Sequence, residues 1–125
     1  MLLGLVKLNI QVRTDLPRDI IEKCEPVIDT LRELIPVING DYPGSELTLM
    51  VNATARSYLP DLINEYAGLN EEARASRRQG LVEALELLSV RLTEIAWIVH
   101  EKKESEFDAQ AKFLKVKFFN NMDAH

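Results

Sequence analysis

The residues best placed for metal chemistry are His100, Glu104 and Asp108, which fall four residues apart on one face of a predicted helix. An imidazole and carboxylates at that spacing can share a divalent metal ion. A structural zinc site needs four ligands, however, and a di-iron bundle needs Glu-x-x-His, whereas Trp97 stands three residues before the histidine. We therefore interpret this cluster as a solvated acidic face, and we predict neither a metal nor another cofactor.

The candidate nucleophile is Cys24, the one cysteine of the chain. It lies on the apolar stripe of the first long predicted helix, where a small buried side chain is expected. A reactive thiol needs exposure and a nearby cation or base. The five glycines are scattered and form no phosphate-binding loop. Because no nucleophile and base stand in a defined relation, the sequence predicts no catalytic residue and favours a protein that is not an enzyme.

Three arginines form a compact positive patch on the last predicted helix: Arg74, Arg77 and Arg78, with Arg56 expected to lie adjacent across the bundle. Guanidinium groups can hold a phosphate or another oxyanion through paired hydrogen bonds. The alternative is that Arg74 and Arg78 pair with Glu71 and Glu72 or with acidic residues of the first long helix. We favour ion pairing, and anion binding remains the small-ligand hypothesis.

The segment from Lys112 to Phe119 interleaves lysines with large apolar side chains, among them Phe113 and Phe118. Helices that lie on membrane surfaces have this composition. So do segments that dock on protein with their lysine stems along apolar surface. We favour docking within the protein or within an oligomer, with membrane association as the alternative.

Length and charge exclude several classes of function. The chain of 125 residues has the size of one domain, and its net charge of −5 argues against a general nucleic-acid binder. A single cysteine permits no intrachain disulfide, which indicates a reducing, cytoplasmic setting. The apolar N-terminus has no leading positive cluster and no cleavage site, so it is not interpreted as a signal peptide. No apolar run approaches the roughly 20 residues that a membrane span needs.

The stretch from Leu81 to Val99 is the element around which we expect the fold to be arranged. Its first helical stripe comprises Leu81, Leu85, Leu88, Leu92, Ile95 and Val99. A second stripe, roughly opposite, comprises Leu87, Val90, Trp97 and Ile98. A helix that is apolar on opposite sides must be covered from more than one direction. We therefore predict the central helix of a bundle, and we expect a partner or another copy to cover the second stripe.

The N-terminal segment is ambiguous between strand and helix. From Val6 to Arg13 apolar and polar residues alternate strictly, which favours a short strand. The same window can form a helix that buries Leu5, Leu8 and Val12. A strand would need a partner, and residues 113–119 are the other alternating run.

Caps and prolines predict the remaining boundaries. A first long helix should begin near Thr14 or Asp15, with Pro17 in its first turn. Pro26 should kink it after its first turns, and it should end before Pro36. Its expected core stripe comprises Ile21, Cys24, Ile28, Leu31 and Ile35. Turn-forming residues 39–44 then predict a loop.

Further along the chain, Ser45 should cap a second helix that Pro60 interrupts, and a short helical piece from Asp61 to Ala67 should follow. Asn70 should cap the last and longest helix. The predicted fold is therefore mainly α, a bundle of three to four helices with a long C-terminal helix. It forms a single domain over residues 1–125, with a possible short strand in the N-terminal apolar segment 1–13 and a flexible tail at 120–125.

The order of these elements resembles a known helical family. Tyr58-Leu59-Pro60 is followed by Tyr66 and Leu69, and then by a long helix that ends in Phe113-Leu114-Lys115 and Phe118. This order is similar to the helical segment of bacterial proteins for toxic-anion (tellurite) resistance and for 5-bromo-4-chloroindolyl phosphate hydrolysis. The resemblance spans Pro17 to Phe119 and rests on packing and kink residues. It implies a cytoplasmic bacterial helical protein connected with stress or envelope functions, and it supplies no catalytic residues.

The residues themselves predict a non-enzymatic accessory protein that acts through protein–protein contacts or self-association. Aromatic side chains dominate most binding interfaces. The expected contact residues are Trp97, Phe113, Phe118, Phe119, Leu87 and Val90. The alternatives are a small-anion binder or phosphoester hydrolase built on the arginine patch, and a peripheral membrane protein attached through the basic C-terminal segment.

Overall fold

The computed structural model describes residues 2–101, which fold into helices joined by short links. The elements are α1 (Leu2–Asp15), α2 (Arg18–Asp41), α3 (Glu46–Ala53), a π-helical turn (Thr54–Tyr58), α4 (Leu59–Ala67) and α5 (Glu71–His100). The predicted helical bundle with a long C-terminal helix is confirmed. Among these described helices, none combines the length and the apolarity that crossing a bilayer requires.

Among the described helices, α2 makes the most extensive contacts with its neighbours, rather than the stretch from Leu81 to Val99 that we predicted to be the central helix. Helix α2 packs mainly against α1, α3 and α5, whereas α5 packs mainly against α2 and α4. The reason lies in the breadth of the apolar face of α2. Its buried side chains are Ile20, Cys24, Val27, Ile28, Leu31, Leu34, Ile35 and Ile38. Two adjacent buried pairs widen that face enough to meet helices on more than one side.

Two ion pairs show that α2 and α5 run in the same direction. Arg78 pairs with Asp19 near the start of both helices, and Glu86 lies 3.0 Å from Lys23 further along. The ends of α2 and α5 therefore lie at one end of the bundle, and the pair forms its most extensive helix contact. The start of α5 is fixed as predicted, because the Asn70 side chain accepts a hydrogen bond of 2.8 Å from the Ala73 amide.

The N-terminal segment is helical, so the predicted strand from Val6 to Arg13 is wrong. Helix α1 buries Leu5, Leu8 and Val12 against the bundle. Val6 and Ile10, which a strand would place on the same face as Leu8, are exposed. A helix satisfies its own backbone hydrogen bonds, whereas a lone strand does not, and no strand occurs among the described residues that could pair with it.

The prolines of α2 are accommodated within the helix. The predicted end before Pro36 is wrong, since α2 continues through Pro26 and Pro36 to Asp41. Its first residue is Arg18, and Pro17 rather than Thr14 or Asp15 occupies the N-cap position. Both internal prolines are exposed, while residues on both sides of Pro36 are buried. Burial of these neighbours offsets the lost backbone hydrogen bond.

The chain also passes Pro60 without leaving the helical region. We predicted an interruption there, and instead a π turn precedes the proline and α4 already begins at Leu59. The Leu59 amide donates to the Thr54 carbonyl five residues back. An α-helix would bring the Pro60 ring against the carbonyl of Arg56, and the wider π turn is one way to relieve that clash. As predicted, Ser45 caps a helix, which is α3, and α4 ends before Gly68.

The link between α2 and α3 is shorter than predicted. Residues 39–41 belong to the last turn of α2, so the loop covers residues 42–45. Gly44 adopts a φ of +77°, a left-handed conformation that favours glycine. The side-chain amides of Asn39 and Asn52 donate to each other over 3.0 and 2.9 Å. This reciprocal pair joins the end of α2 to α3.

Candidate interaction surface

Helix α5 has one buried face and one exposed face. All six members of its first predicted stripe, from Leu81 to Val99, are buried. Of the second stripe, Ile98 is buried, whereas Leu87, Val90 and Trp97 are 39, 53 and 52% exposed. We call these three residues the α5 apolar face. We predicted that neighbours surround this helix. Within the described residues they do not, because α5 packs on α2 with one side and leaves the opposite side exposed.

The predicted aromatic part of the interaction site lies outside the described residues. Phe113, Phe118 and Phe119 belong to that part of the chain, as do Glu104 and Asp108 of the candidate metal cluster. Within residues 2–101, no group of three or more histidine, cysteine, aspartate or glutamate side chains could hold a metal ion. His100 is exposed at the end of α5.

A groove lies at the junction of α4 and α5, and sequence reasoning missed it. It has a volume of about 220 Å³ and is lined by Leu62, Tyr66, Leu69, Arg77, Gly80 and Leu81, with Glu65 also at its wall. We call it the Gly80 groove. A Cβ atom built on Gly80 would meet nothing within 4 Å, so packing within the chain does not require glycine there. The signal in the sequence was a glycine inside a long helix, which otherwise destabilises that helix by about 1 kcal/mol relative to alanine.

A second exposed apolar surface lies on α1. Leu3, Val6 and Ile10 are 66, 37 and 62% exposed and recur at helical spacing. Sequence reasoning placed Val6 and Ile10 on a strand and so missed this helical stripe. The contact residues Leu5, Leu8 and Val12 take the opposite side of the helix, which leaves this stripe in solvent.

The arginines of the predicted patch have separate contacts within the chain. The guanidinium of Arg74 donates to the Ala67 carbonyl over 2.8 Å and lies 5.4 Å from the centre of the Tyr66 ring. Arg77 lies 3.8 Å from Glu65. Two nitrogen atoms of Arg78 donate to one carboxylate oxygen of Asp19.

Arg56 is exposed beside Gly4, Ala55 and Pro60, next to α1. The patch therefore does not converge on one point. Arg78 meets an acidic residue of the first long helix, as the ion-pairing alternative predicts. Arg74 meets a backbone carbonyl and Arg77 meets Glu65 of α4, which that alternative did not name.

The pair of Arg78 and Asp19 yields a pH-dependent prediction. The hydrogen bond from Arg78 holds the pKa of Asp19 below its ordinary value. Since the pKa is lowered in the folded state, the pair stabilises the fold above the unfolded-state pKa of aspartate, and this stabilisation is lost as the pH falls through the folded-state pKa. We expect Arg78→Gln to raise the pKa of Asp19, measured by carboxyl carbon NMR. The same substitution should lower the melting temperature slightly at pH 7, and this difference should shrink as the pH falls through the folded-state pKa of Asp19.

A matched control is Arg77→Gln, which removes the neighbouring guanidinium and should leave the Asp19 titration unchanged. An Asp19 pKa that is the same in the Arg78→Gln variant and in the wild type would contradict the pairing.

The thiol of Cys24 is fully buried on α2, as the sequence predicted. Burial raises its pKa to about 12. A thiolate is the reactive form of cysteine, and it is disfavoured at neutral pH in this setting. Cys24 therefore serves the packing of α2.

Comparisons with protein-family models, with curated proteins and with solved structures gave no match. The resemblance to the toxic-anion resistance family stays a prediction, and the assignment of a function depends on the geometry of the surfaces described above.

Proposed function

We propose that this protein is a non-enzymatic accessory protein that works by binding protein through the α5 apolar face. The observation that carries the proposal is the exposure of Leu87, Val90 and Trp97 along one side of the longest helix. A single exposed apolar residue needs no explanation, but a row that ends in a half-exposed tryptophan is typical of a contact surface. Tryptophan is also among the residues that contribute most to binding when they are buried in an interface.

The polar groups considered for chemistry support the same proposal. The thiol is buried, and three of the four patch arginines are held by carboxylates or a backbone carbonyl. An anion would have to compete with these intrachain partners. The small-anion alternative therefore has less support than binding of protein, and the membrane alternative depends on residues 112–119.

The proposed setting is the bacterial cytoplasm, with a role in stress or toxic-anion resistance. This part of the proposal depends on the resemblance of the Tyr58-Leu59-Pro60 step and the helices that follow it, and on the single cysteine. A reducing compartment would keep that thiol unpaired.

The proposal is tested by affinity purification of the tagged full-length chain from its own cells. In the double variant Val90→Ser with Trp97→Ser, the amount of co-purifying protein should fall at least about tenfold, because the apolar contacts are lost. Untagged copies of this chain count as co-purifying protein. The matched control is Leu49→Ser, whose side chain is 59% exposed on α3. This variant should retain the same co-purifying proteins as the wild type.

The variants must be compared at equal helicity by circular dichroism. If the double variant retains the same proteins in the same amounts as the wild type, the α5 apolar face is not the contact surface. The proposal would then be wrong.

A further inference from the structure

We propose that residues 107–119 of this chain fold back and dock in a groove between α2 and α5. The groove follows one side of the two parallel helices, and we call it the α2–α5 groove. Residues 107–119 lie outside the described part of the chain. Four observations assign them to the groove: its size, the place where α5 ends, the spacing of apolar residues beyond that end, and the charges on both surfaces. The inference goes beyond the proposed function and does not rest on it.

The groove consists of two hollows on the same side of the α2–α5 pair. One hollow, of about 200 Å³, lies near the ends of both helices, and the other, of about 340 Å³, lies further back along them. Four lining residues of α2 recur at intervals of four, seven and four: Glu22, Pro26, Glu33 and Val37. Four of α5 recur at intervals of three, seven and four: Glu86, Ser89, Ala96 and His100. Such intervals return a helix to the same side, so the hollows form one strip about 21 Å long.

The size of the groove favours an occupant that belongs to the same chain. Val37 at one end of the groove and Val90 at the other are 44 and 53% exposed, so apolar surface is left uncovered there. A strip of about 21 by 10 Å is much smaller than the roughly 800 Å² that each partner buries in a standard interface between separate chains. A segment attached through a short link needs less contact area, because its effective concentration reaches about the millimolar range.

The chain leaves α5 at the mouth of the groove. His100 is the last residue of α5 and lines the first hollow. Glu101 caps the helix, and its amide donates to the Trp97 carbonyl over 2.9 Å. Its ψ is −1°, whereas an α-helix has a ψ of about −42°, so the chain departs from the helical course there. The five residues 102–106 can span about 17 Å, which exceeds the 8–10 Å (roughly) between the axes of packed helices.

The sequence beyond this link predicts a helix with the dimensions of the groove. Phe107, Ala111, Leu114 and Phe118 recur at intervals of four, three and four, which is the spacing of one apolar helical stripe. A helix over residues 107–119 would be about 18 Å long. If Phe107 lies level with His100, a helix that runs back along α5 stays within the strip and sets its apolar stripe on the apolar groove.

The charges of the groove and of the segment are complementary. Three carboxylates and one lysine line the groove: Glu22, Glu33, Glu86 and Lys23. Residues 107–119 contain three lysines and one aspartate. Lys115 and Lys117 fall about 80° to either side of the predicted stripe, so one lysine would face each wall of the groove. Charge complementarity of this kind favours this surface over others and fixes the register of the docked segment.

The docking is tested by oxidative cross-linking of the full-length chain with Ala96→Cys and Ala111→Cys. If Phe107 is level with His100, position 111 lies beside Ala96, which lines the groove. In a helix that continued past Glu101, the two positions would lie about 22 Å apart. We expect a disulfide within one chain, detected as loss of both introduced thiols at the monomer mass near 14.2 kDa. Cys24 is buried and should keep its thiol.

The matched control is Glu94→Cys with Ala111→Cys. Position 94 is two residues from Ala96 and about 160° away around α5, on the side that the groove does not reach. This variant should form no disulfide within the chain. Both alanine replacements are small, and circular dichroism checks that the helices are retained.

A second measurement tests the apolar stripe without an introduced thiol. Phe107→Ser with Leu114→Ser should lower the melting temperature by about 5 °C, because two docked side chains lose their burial. Phe113→Ser with Val116→Ser removes the same kinds of side chain from other sides of the predicted helix. This control variant should change the melting temperature by less than about 2 °C.

Each unexpected result would overturn the inference. These results are the absence of a disulfide in the Ala96→Cys and Ala111→Cys variant, equal cross-linking in the control, and equal losses of melting temperature in the two serine variants. A disulfide that forms only between chains would assign the groove to a second copy instead. The proposed function fails or holds separately, since cross-linking is measured in the purified chain and the co-purification test measures other bound protein.

Discussion

Replacing Leu85 by alanine should destabilise the fold by about 3 kcal/mol, as expected for truncating a fully buried leucine of α5. Leu85 is 0% exposed and lies on the buried stripe that packs against α2. Its truncation removes apolar contacts and leaves a cavity between two helices that run in parallel, where neither can shift without disturbing the rest of the core. Urea unfolding followed by circular dichroism measures the change, with the midpoint falling at constant slope.

The matched control is Leu87→Ala, the same substitution two residues further along α5. Leu87 is 39% exposed, so in the monomer its loss should cost less than about 1 kcal/mol. The comparison should be made at low protein concentration, because any association through Leu87 would add stability. Equal losses at both positions would mean that α5 is buried on both faces, as the sequence alone predicted.

The sequence predicted the elements whose signals are local. Ser45 and Asn70 are N-caps because each side-chain oxygen accepts a hydrogen bond from an amide three residues later, which depends on those few residues alone. The buried stripe of α5 was equally predictable, since a run of leucines at spacings of three and four can share only one side of a helix.

The predicted helix ends at the prolines were wrong because packing elsewhere in the structure offsets the free energy that each proline costs a helix. Pro36 lacks an N–H, and local rules place a helix end before it. In the fold, Leu34, Ile35 and Ile38 are all buried around it, so ending the helix there would expose them. At Pro60 the chain keeps its helical course through a π turn. A prediction from neighbouring residues alone cannot include the burial of these side chains against other helices.

The candidate site was predicted in part. The sequence identified Leu87, Val90 and Trp97 as a second apolar face, but not that α5 would lie at the outside of the bundle and leave them exposed. That outcome depends on the broader apolar face of α2, which makes the most extensive contacts among the described helices. The Gly80 groove could not be predicted either, because it forms only when Leu62 of α4 and Leu69 of the link between α4 and α5 lie beside Gly80.

The N-terminal segment was predicted as a strand and is a helix in the structure. A charged residue placed there distinguishes the two. Val12→Asp should destabilise the protein by at least about 3 kcal/mol, because Val12 is 0% exposed and an aspartate there must be desolvated or protonated. Ile10→Asp should change the stability by less than about 0.5 kcal/mol, since Ile10 is 62% exposed.

In a strand, Ile10 and Val12 would share one face, and the two substitutions would have similar effects. In α1 they lie 160° apart around the axis when each residue turns by about 100°. The unfolding free energies of both variants at pH 7 therefore separate the two arrangements. Burial raises the pKa of a carboxyl. The Val12→Asp loss should therefore shrink as the pH falls from that raised folded-state pKa to about 4 (the ordinary aspartate pKa), below which the carboxyl is neutral in both states. Equal and small losses for both variants would mean that α1 does not pack on the bundle in solution. The contact between α1 and α2, with the pair of Arg13 and Glu25 at 2.7 Å on its edge, would then contribute little to the stability of the fold.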